Sequence, residues 1–289
     1  MKIRVITVFC LLGICLNSCL ESNVIFETQL FKNGEGNYAC YRIPAIIQSP
    51  QGTLFAFAEG RKRNCNDFGN VDILVRKSND GGLHWTSMEV VADFEELQAG
   101  NPAPVVDVLD PLFPQGRIFL FYNTGNVSEH DMRKGKGVRE VYFITSEDEG
   151  KTWSEPVNIT NQVHFNSTTT QADRDWRTNA TTPGHAIQFK KTPYRGRIYV
   201  PANHSQGDPQ DGFNEYRAYG FYTDDHEKNF RVSPDLKTLS SNEAIGVELP
   251  DGSLMLNVRE QNGLTKQRLI AISKSGGTQW DAEYFDRDL

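Results

Sequence analysis

The chain has 289 residues, of which 38% are hydrophobic and 11% aromatic, and its formal net charge is −7. This composition is ordinary for a globular protein with a substantial core. The negative charge argues against nucleic acid as a partner, because phosphate binding needs a basic face. An anionic sugar can bind only where a local group of arginines outweighs the overall charge.

The first residues have the pattern of an export signal. Lys2 and Arg4 precede an almost unbroken apolar run over residues 5–16, and Asn17-Ser18-Cys19 follows. This order is typical of a secretory signal peptide, and the run is too short to span a bilayer comfortably. The end of the segment also resembles a bacterial lipobox. We therefore predict a signal over residues 1–19 and an exported protein. It is either a cell-envelope lipoprotein lipidated at Cys19, its only membrane contact, or a secreted or periplasmic protein.

The cysteine and histidine content argues against a metal site. Three of the five cysteines lie in the export segment, which leaves Cys40 and Cys65 in the mature domain. An exported protein can oxidise such a pair, but the sequence leaves open whether these two cysteines are joined. The six histidines are scattered, and a metal site needs more ligands at short spacing. We expect no metal.

An internal repeat is the main signal of organisation. Residues 78–85 and 146–153 share the pattern S-x-D-x-G-x-x-W, and residues 223–230 and 273–280 are degenerate copies. Aspartate bonds to nearby backbone N–H groups in tight turns, and glycine supplies positive φ. We therefore interpret these segments, known as Asp boxes, as hairpin turns with a structural role.

The remaining pattern predicts an all-β chain. Short strand-like runs flank each box, turn signals recur at intervals, and no segment has convincing helical periodicity. The irregular spacing of the boxes suits sheets joined by variable loops, so a β-propeller is favoured over a sandwich or a β-helix. We find no linker within residues 25–289 and predict one domain there.

A second set of motifs resembles the exo-sialidases (neuraminidases) of bacterial type. Its members are Tyr41-Arg42-Ile43-Pro44 (the RIP motif), Phe57-Ala58-Glu59-Gly60-Arg61, Asp67, residues 72–75, 100–107, 183–188 and 196–201, Asn242-Glu243-Ala244 and residues 249–259. They occur in the family's order from about residue 26 to the last residue. The resemblance implies a six-bladed propeller, of which this chain would hold roughly four blades.

The resemblance also implies a site for the carboxylate of sialic acid. Arginine suits this task because its planar guanidinium stays protonated and pairs with a carboxylate through two hydrogen bonds. Arg42 matches the family's first carboxylate-binding arginine, and Arg259 matches the next. Arg61 matches another arginine that lines the site, and Asn101 resembles a position at its rim, near the sugar's N-acetyl or 4-hydroxyl group.

Two carboxylates match the family's catalytic groups. Asp67 lies where the family has its general acid/base, a role for which partial burial should raise the pKa. Glu243 matches the glutamate that takes the proton from a tyrosine nucleophile. Sialidases use tyrosine because the substrate's own carboxylate would repel a carboxylate nucleophile. Asp72 and Glu248 are the rival candidates for these two roles.

The family's third arginine and its tyrosine belong well after Arg259, and the sequence reaches Leu289 without them. We therefore expect a chain that is incomplete at its C-terminus. The resemblance implies a retaining exo-α-sialidase that acts on sialylated glycans and needs no cofactor. The alternatives are a non-catalytic propeller that binds sialylated glycans and a trans-sialidase. Linkage preference and oligomeric state stay open.

Overall fold

The computed structural model describes residues 27–289, so the predicted export signal lies outside the described residues. The described part of the chain is built mainly from strands, which confirms the all-β prediction. The strands are β1 (Cys40–Gln48), β2 (Leu54–Arg61), β3 (Val71–Ser78), β4 (Glu89–Ala92), β5 (Gln98–Asp107), β6 (Arg117–Gly125), β7 (Arg139–Ser146), β8 (Val157–Asn158), β9 (Trp176–Thr181), β10 (Ile187–Gln188), β11 (Ile198–Gln206), β12 (Tyr216–Thr223), β13 (Arg231–Val232), β14 (Ser241–Glu248), β15 (Leu254–Glu260), β16 (Arg268–Ser273) and β17 (Ala282–Asp286).

Helical structure is confined to short segments in the loops. These are the α-helices α1 (Glu129–Arg133) and α2 (Thr160–Val163) and the 3-10 turns Ala172–Arg174 and Asp211–Phe213. Within residues 27–289, no helix has the length and apolar character needed to cross a membrane.

The strands pair in four successive antiparallel groups: β1–β4, β5–β8, β9–β13 and β14–β17. Most strands pair with the next strand along the chain, while β9 and β10 both pair with β11. One parallel contact, between Val71 and Gln98, joins the first two groups into a single eight-stranded sheet. We call the first strand of each group (β1, β5, β9 and β14) its inner strand.

Apolar cores fill the spaces between successive groups. Three pairs that share a core are Phe57 with Leu120, Phe121 with Val200, and Tyr199 with Leu256. Neighbouring residues of one strand point to opposite faces, so β6 contributes to the first and second cores and β11 to the second and third. Every residue of β6 is buried as a result, as is every residue of β11 except the last. Packing on both faces thus explains the unbroken apolar runs over residues 118–122 of β6 and 198–202 of β11.

The four Asp boxes form the turns that follow β3, β7, β12 and β16. In the second box, Ser146 donates from Oγ to Asp148 Oδ1 (3.0 Å) and accepts the Gly150 N–H (2.8 Å). Asp148 also accepts the backbone N–H of Thr152 at 2.9 Å. Gly150 has φ 68°, a left-handed conformation that favours glycine. Related contacts recur in the other boxes, with a serine in place of the aspartate in the fourth.

Three of these turns also contact the preceding group of strands. Gly150 accepts from Lys77 Nζ of β3 at 2.7 Å. In the third box, His226 Nδ1 lies 2.5 Å from Asp107 Oδ2, at the end of β5. In the fourth, Gly276 accepts from Arg197 Nη1 at 2.8 Å. The box turns therefore connect neighbouring groups as well as neighbouring strands.

We expect Asp148→Asn to destabilise the protein by about 1 kcal/mol at neutral pH, because a charged acceptor of several hydrogen bonds is lost. Desolvation opposes ionisation of Asp148, but hydrogen bonds from Thr152, Ser146 and Lys151 lower its pKa to about 2. Its contribution is therefore present above the unfolded-state pKa and is lost as the pH falls towards the folded one. Urea unfolding at neutral pH and near pH 3 should show the deficit shrinking in acid.

The matched control for this variant is Glu147→Gln, which removes the exposed neighbouring carboxylate. We expect it to leave the free energy of unfolding unchanged within about 0.5 kcal/mol. An equal effect of the two substitutions would contradict the role given to the box aspartate.

Candidate active site

The six residues predicted for the site line one cleft of about 320 Å³: Arg42, Arg61, Asp67, Asn101, Glu243 and Arg259. They meet because antiparallel strands alternate in direction. The inner strands β1, β5 and β14 begin at this end of the sheets, whereas β2 and β15 end there. The Asp boxes follow strands that begin at the cleft, so the box turns lie at the opposite end.

Irregular pairing in the inner strands sets the direction of three of these side chains. The register of β1 against β2 shifts just after Arg42, that of β5 around Asn101, and that of β14 around Glu243. Ile43 and Asn101 have φ of 54° and 58°, in the left-handed region. Such bulges bend a strand locally and redirect its side chains. The same device thus operates at the cleft end of three of the four groups.

A buried carboxylate on β2 connects two parts of the cleft. Glu59 is 1% exposed and accepts at Oε2 from Arg61 Nε (3.0 Å) and Nη2 (2.7 Å). Its Oε1 accepts the backbone N–H of Asn101 at 2.8 Å. Burial raises the pKa of Glu59, while the Arg61 guanidinium and the Asn101 N–H oppose the rise. A β-carbon at Gly100 would lie only 2.7 Å from Oε1, so the carboxylate needs glycine there.

Arg61 also holds the loop that carries Asp67. Its Nη1 donates to Asp67 Oδ1 at 2.8 Å and to the Cys65 carbonyl at 2.6 Å. The Asp67 side chain is 80% exposed. The prediction that it is partly buried is therefore wrong. The reason is local, since the loop after β2 runs over the surface and residues 62–67 are all exposed.

The opposite side of the cleft carries a second ion pair. Arg259 Nη1, near the end of β15, lies 2.8 Å from Glu243 Oε2 on β14. Both side chains are partly exposed, at 47% and 31%. Arg42 is exposed and makes no ion pair with another residue that the structure describes. The cleft therefore offers one uncommitted guanidinium and one that a competing anion can reach.

Comparison with known proteins identifies the family. Residues 52–285 match the model of the BNR repeat-like domain. The sialidase of Micromonospora viridifaciens is 29% identical over 283 residues, which cover 91% of this chain and 39% of that protein. The chain belongs to the sialidase family. This confirms the resemblance read from the motifs.

Solved structures of sialidases share the fold. The Hadza microbial sialidase Hz136 superposes with a TM-score of 0.70 at 23% identity, over 86% of this chain and 47% of that one. Trypanosoma rangeli sialidase in complex with sialic acid superposes with a TM-score of 0.64 at 17% identity. The match covers 85% of this chain and 37% of that one. The predicted sialidase-like propeller is thereby confirmed, while the number of blades stays a prediction. The chain spans about half or less of the length of each of these relatives.

Sequence reasoning missed a third part of the cleft, formed by α1 and the segment before β12. Glu129 accepts from the hydroxyl of Tyr216 and lies 3.3 Å from Arg139 Nη2. Arg133 packs over the Phe213 ring, 4.6 Å from its centroid. Burial is the main cause that raises the pKa of Tyr216, and the negative charge of the nearby Glu129 raises it further. A helix of five residues is too short for a periodic signal, so the pattern could not have indicated these residues.

Glu59 was also missed as a functional residue, although it lies within a motif that carried the resemblance. Its neighbours Phe57 and Ala58 indicate a buried strand, where a carboxylate is rare unless it is paired. That rarity is the signal that could have found it.

One group of potential metal ligands occurs among residues 27–289. Asp107, Asp110 and His226 place ligand atoms within 4.8 Å of one another. However, Arg117 Nη2 lies 3.3 Å from Asp110 Oδ2, and Gln188 donates to Asp107. These contacts, far from the cleft, account for the carboxylates as part of the junction between strand groups.

We expect Glu59→Gln to destabilise the protein by about 3–5 kcal/mol, because the buried Arg61 charge then keeps only the exposed Asp67 as an anionic partner. Glu96→Gln is the matched control. Glu96 pairs with Arg63 at 2.8 Å, but both side chains are about three-quarters exposed, and such pairs contribute less than about 1 kcal/mol. Urea unfolding of both variants measures the difference, and similar small losses would contradict the role of Glu59.

Proposed function

We propose that the protein is an exo-α-sialidase that hydrolyses terminal sialic acid from glycoproteins, glycolipids and oligosaccharides with retention of configuration. The observation that carries the proposal is the convergence of Arg42, Arg259, Asp67 and Glu243 on one cleft in a chain of this family. A relative with the same fold holds sialic acid, which supports sialylated glycans as the substrate class.

The substrate carboxylate would bind between Arg42 and Arg259. Arg42 is exposed and has no partner among the described carboxylates, so its guanidinium is available to an anion. Arg259 has a partly exposed partner in Glu243, and a substrate carboxylate can compete for it. Arg61 is 2% exposed and is already bonded to Glu59, Cys65 and Asp67. We therefore give Arg61 a positioning role rather than a main part in binding.

Asp67 would act as general acid and then as general base. Its place at the mouth of the cleft suits contact with the leaving glycosidic oxygen. A general acid must carry its proton when the substrate arrives. Binding of a glycan would cover this exposed side chain, and desolvation disfavours the charged form. The substrate itself thus supplies the burial that the structure does not show.

Glu243 would take the proton from a tyrosine nucleophile. In the structure its carboxylate lines the cleft and accepts a hydrogen bond from Arg259 Nη1 at 2.8 Å. The tyrosine itself, which the family resemblance implies, stays a prediction.

We also propose that the protein is exported, as a cell-envelope lipoprotein or as a secreted or periplasmic protein. The support is the disulfide between Cys40 and Cys65, since disulfides persist mainly in oxidising compartments. Cell fractionation tests this proposal, and recovery of the protein with reduced cysteines in the cytosol would contradict it.

Product analysis tests the proposed reaction. The full-length protein is incubated with a sialylated oligosaccharide, with and without a lactose-type acceptor. Hydrolysis predicts free sialic acid in both cases. Sialylated acceptor would instead identify a trans-sialidase, and binding without turnover would identify a non-catalytic propeller.

We expect Asp67→Asn to lower kcat/KM on a natural sialoside roughly 10²- to 10⁴-fold, the range for general acid catalysis. The leaving group of an activated aryl sialoside needs little protonation. The fall in kcat/KM on that substrate should therefore be far smaller. Steady-state kinetics on both substrates measure the ratio. Equal losses would show that Asp67 is not the acid.

We expect Arg259→Lys to weaken binding of sialic acid or its dehydrated analogue about tenfold, because lysine keeps the charge but loses the planar fork. Calorimetric titration measures the affinity, with Arg195→Lys, an exposed arginine at the opposite end of the sheets, as control. A melting temperature that falls together with the affinity would make Arg259 a structural residue.

A further inference from the structure

The Cys40–Cys65 disulfide joins two parts of the cleft. Its Cα atoms are 5.2 Å apart, and its residues are 25 positions apart in the chain. Cys40 begins β1, two residues before Arg42, and it lies opposite Arg61 in the register of β1 with β2. Cys65 lies two residues before Asp67. The bond therefore ties the strand of a predicted anion-binding arginine to the loop of the predicted acid.

That loop has few other attachments. Residues 62–67 are exposed and contain no strand. The backbone is closed by the bond from Lys62 N to Asn70 O at 3.1 Å. Lys62 pairs with Asp72 at 3.1 Å, at the start of the loop, and the pair of Arg63 with Glu96 is at the surface.

Near Asp67, the loop is held from two sides. On β2, Arg61 donates from Nη1 to both the Cys65 carbonyl and the Asp67 carboxylate. On β1, the buried Cys40, which is 2% exposed, forms the disulfide with Cys65. The guanidinium contact is reversible and would weaken whenever Asp67 takes up a proton. The disulfide persists through that change as a covalent attachment, beside the hydrogen bond from Arg61 to the Cys65 carbonyl.

We infer that the Cys40–Cys65 disulfide is a positioning element for Asp67, which keeps the carboxyl at the cleft after its ion pair with Arg61 is released. This inference rests on the proposed function. General acid catalysis requires the acid within hydrogen-bond reach of the leaving oxygen, and a small misplacement is costly to rate. A purely structural disulfide would affect all substrates alike, whereas a positioning element affects those that need protonation.

The test compares wild-type full-length protein with Cys40→Ser/Cys65→Ser on a natural sialoside and on an aryl sialoside with a good leaving group. We expect kcat/KM on the natural sialoside to fall about tenfold more than on the aryl one. Affinity for the dehydrated sialic acid analogue should stay within about twofold, since Arg42 and Arg259 stay on their strands. Hydrogen exchange should speed up within residues 62–70 only.

Two controls sharpen the experiment. Arg63→Ser removes the surface ion pair of the same loop and should leave the ratio of the two substrates unchanged. Dithiothreitol transfers two electrons and two protons to the disulfide, giving two thiols and its own cyclic disulfide. It should bring the wild type to the ratio of the double variant and leave the double variant unaffected.

An unchanged substrate ratio in the double variant would overturn the inference. So would equal losses on both substrates accompanied by faster exchange throughout the domain, which would make the disulfide purely structural. If the wild type turned over neither substrate, the proposed function would fail separately. Exchange within residues 62–70 would then still decide whether the disulfide restrains the loop.

Discussion

The buried pair of Glu59 and Arg61 is the interaction on which the cleft depends. Two charges removed from water are tolerated only when each satisfies the other and the remaining donors and acceptors are used. Here the second carboxylate oxygen takes the Asn101 N–H, and the remaining guanidinium nitrogen holds the Asp67 loop. One pair on β2 thus fixes the bulge of β5 on one side and the position of the predicted acid on the other.

The Asp-box contacts that join neighbouring groups of strands lie at one end of the sheets, and the cleft lies at the other end. At one end, the Asp boxes connect neighbouring groups through contacts such as that of Gly150 with Lys77. At the other end, bulges at Arg42, Asn101 and Glu243 interrupt the regular ladder and direct side chains into the cleft. Bulges weaken local pairing, and the apolar cores between the middle strands supply the rigidity that the inner strands give up.

Much of the fold and of the site could be predicted because the signals are local. The boxes reveal hairpin turns, and the motifs around Arg42 and Glu243 indicate residues that lie together in the cleft. The rest depends on contacts between distant parts of the chain. The sequence left the partners of Cys40 and Cys65 open, and the exposure of Asp67 follows from the path of one loop. The sequence marks Glu59 only as a rare carboxylate in a buried strand, and its role depends on its contacts with Arg61 and Asn101.

On the proposed function, the arginines of the cleft would allow a chain with net charge −7 to bind an anion. Five arginines and four carboxylates line the cleft, and most are already paired, as Arg61 is with Glu59. Arg42, which has no such partner within residues 27–289, would then be the main anion-binding group. On the proposed function, a substrate carboxylate that binds Arg42 also competes with Glu243 for Arg259. Each step towards binding would therefore free Glu243 from its ion pair, at the moment when a nucleophile needs a proton acceptor. Binding of the substrate carboxylate would thus release the glutamate that is proposed to take the proton from the tyrosine.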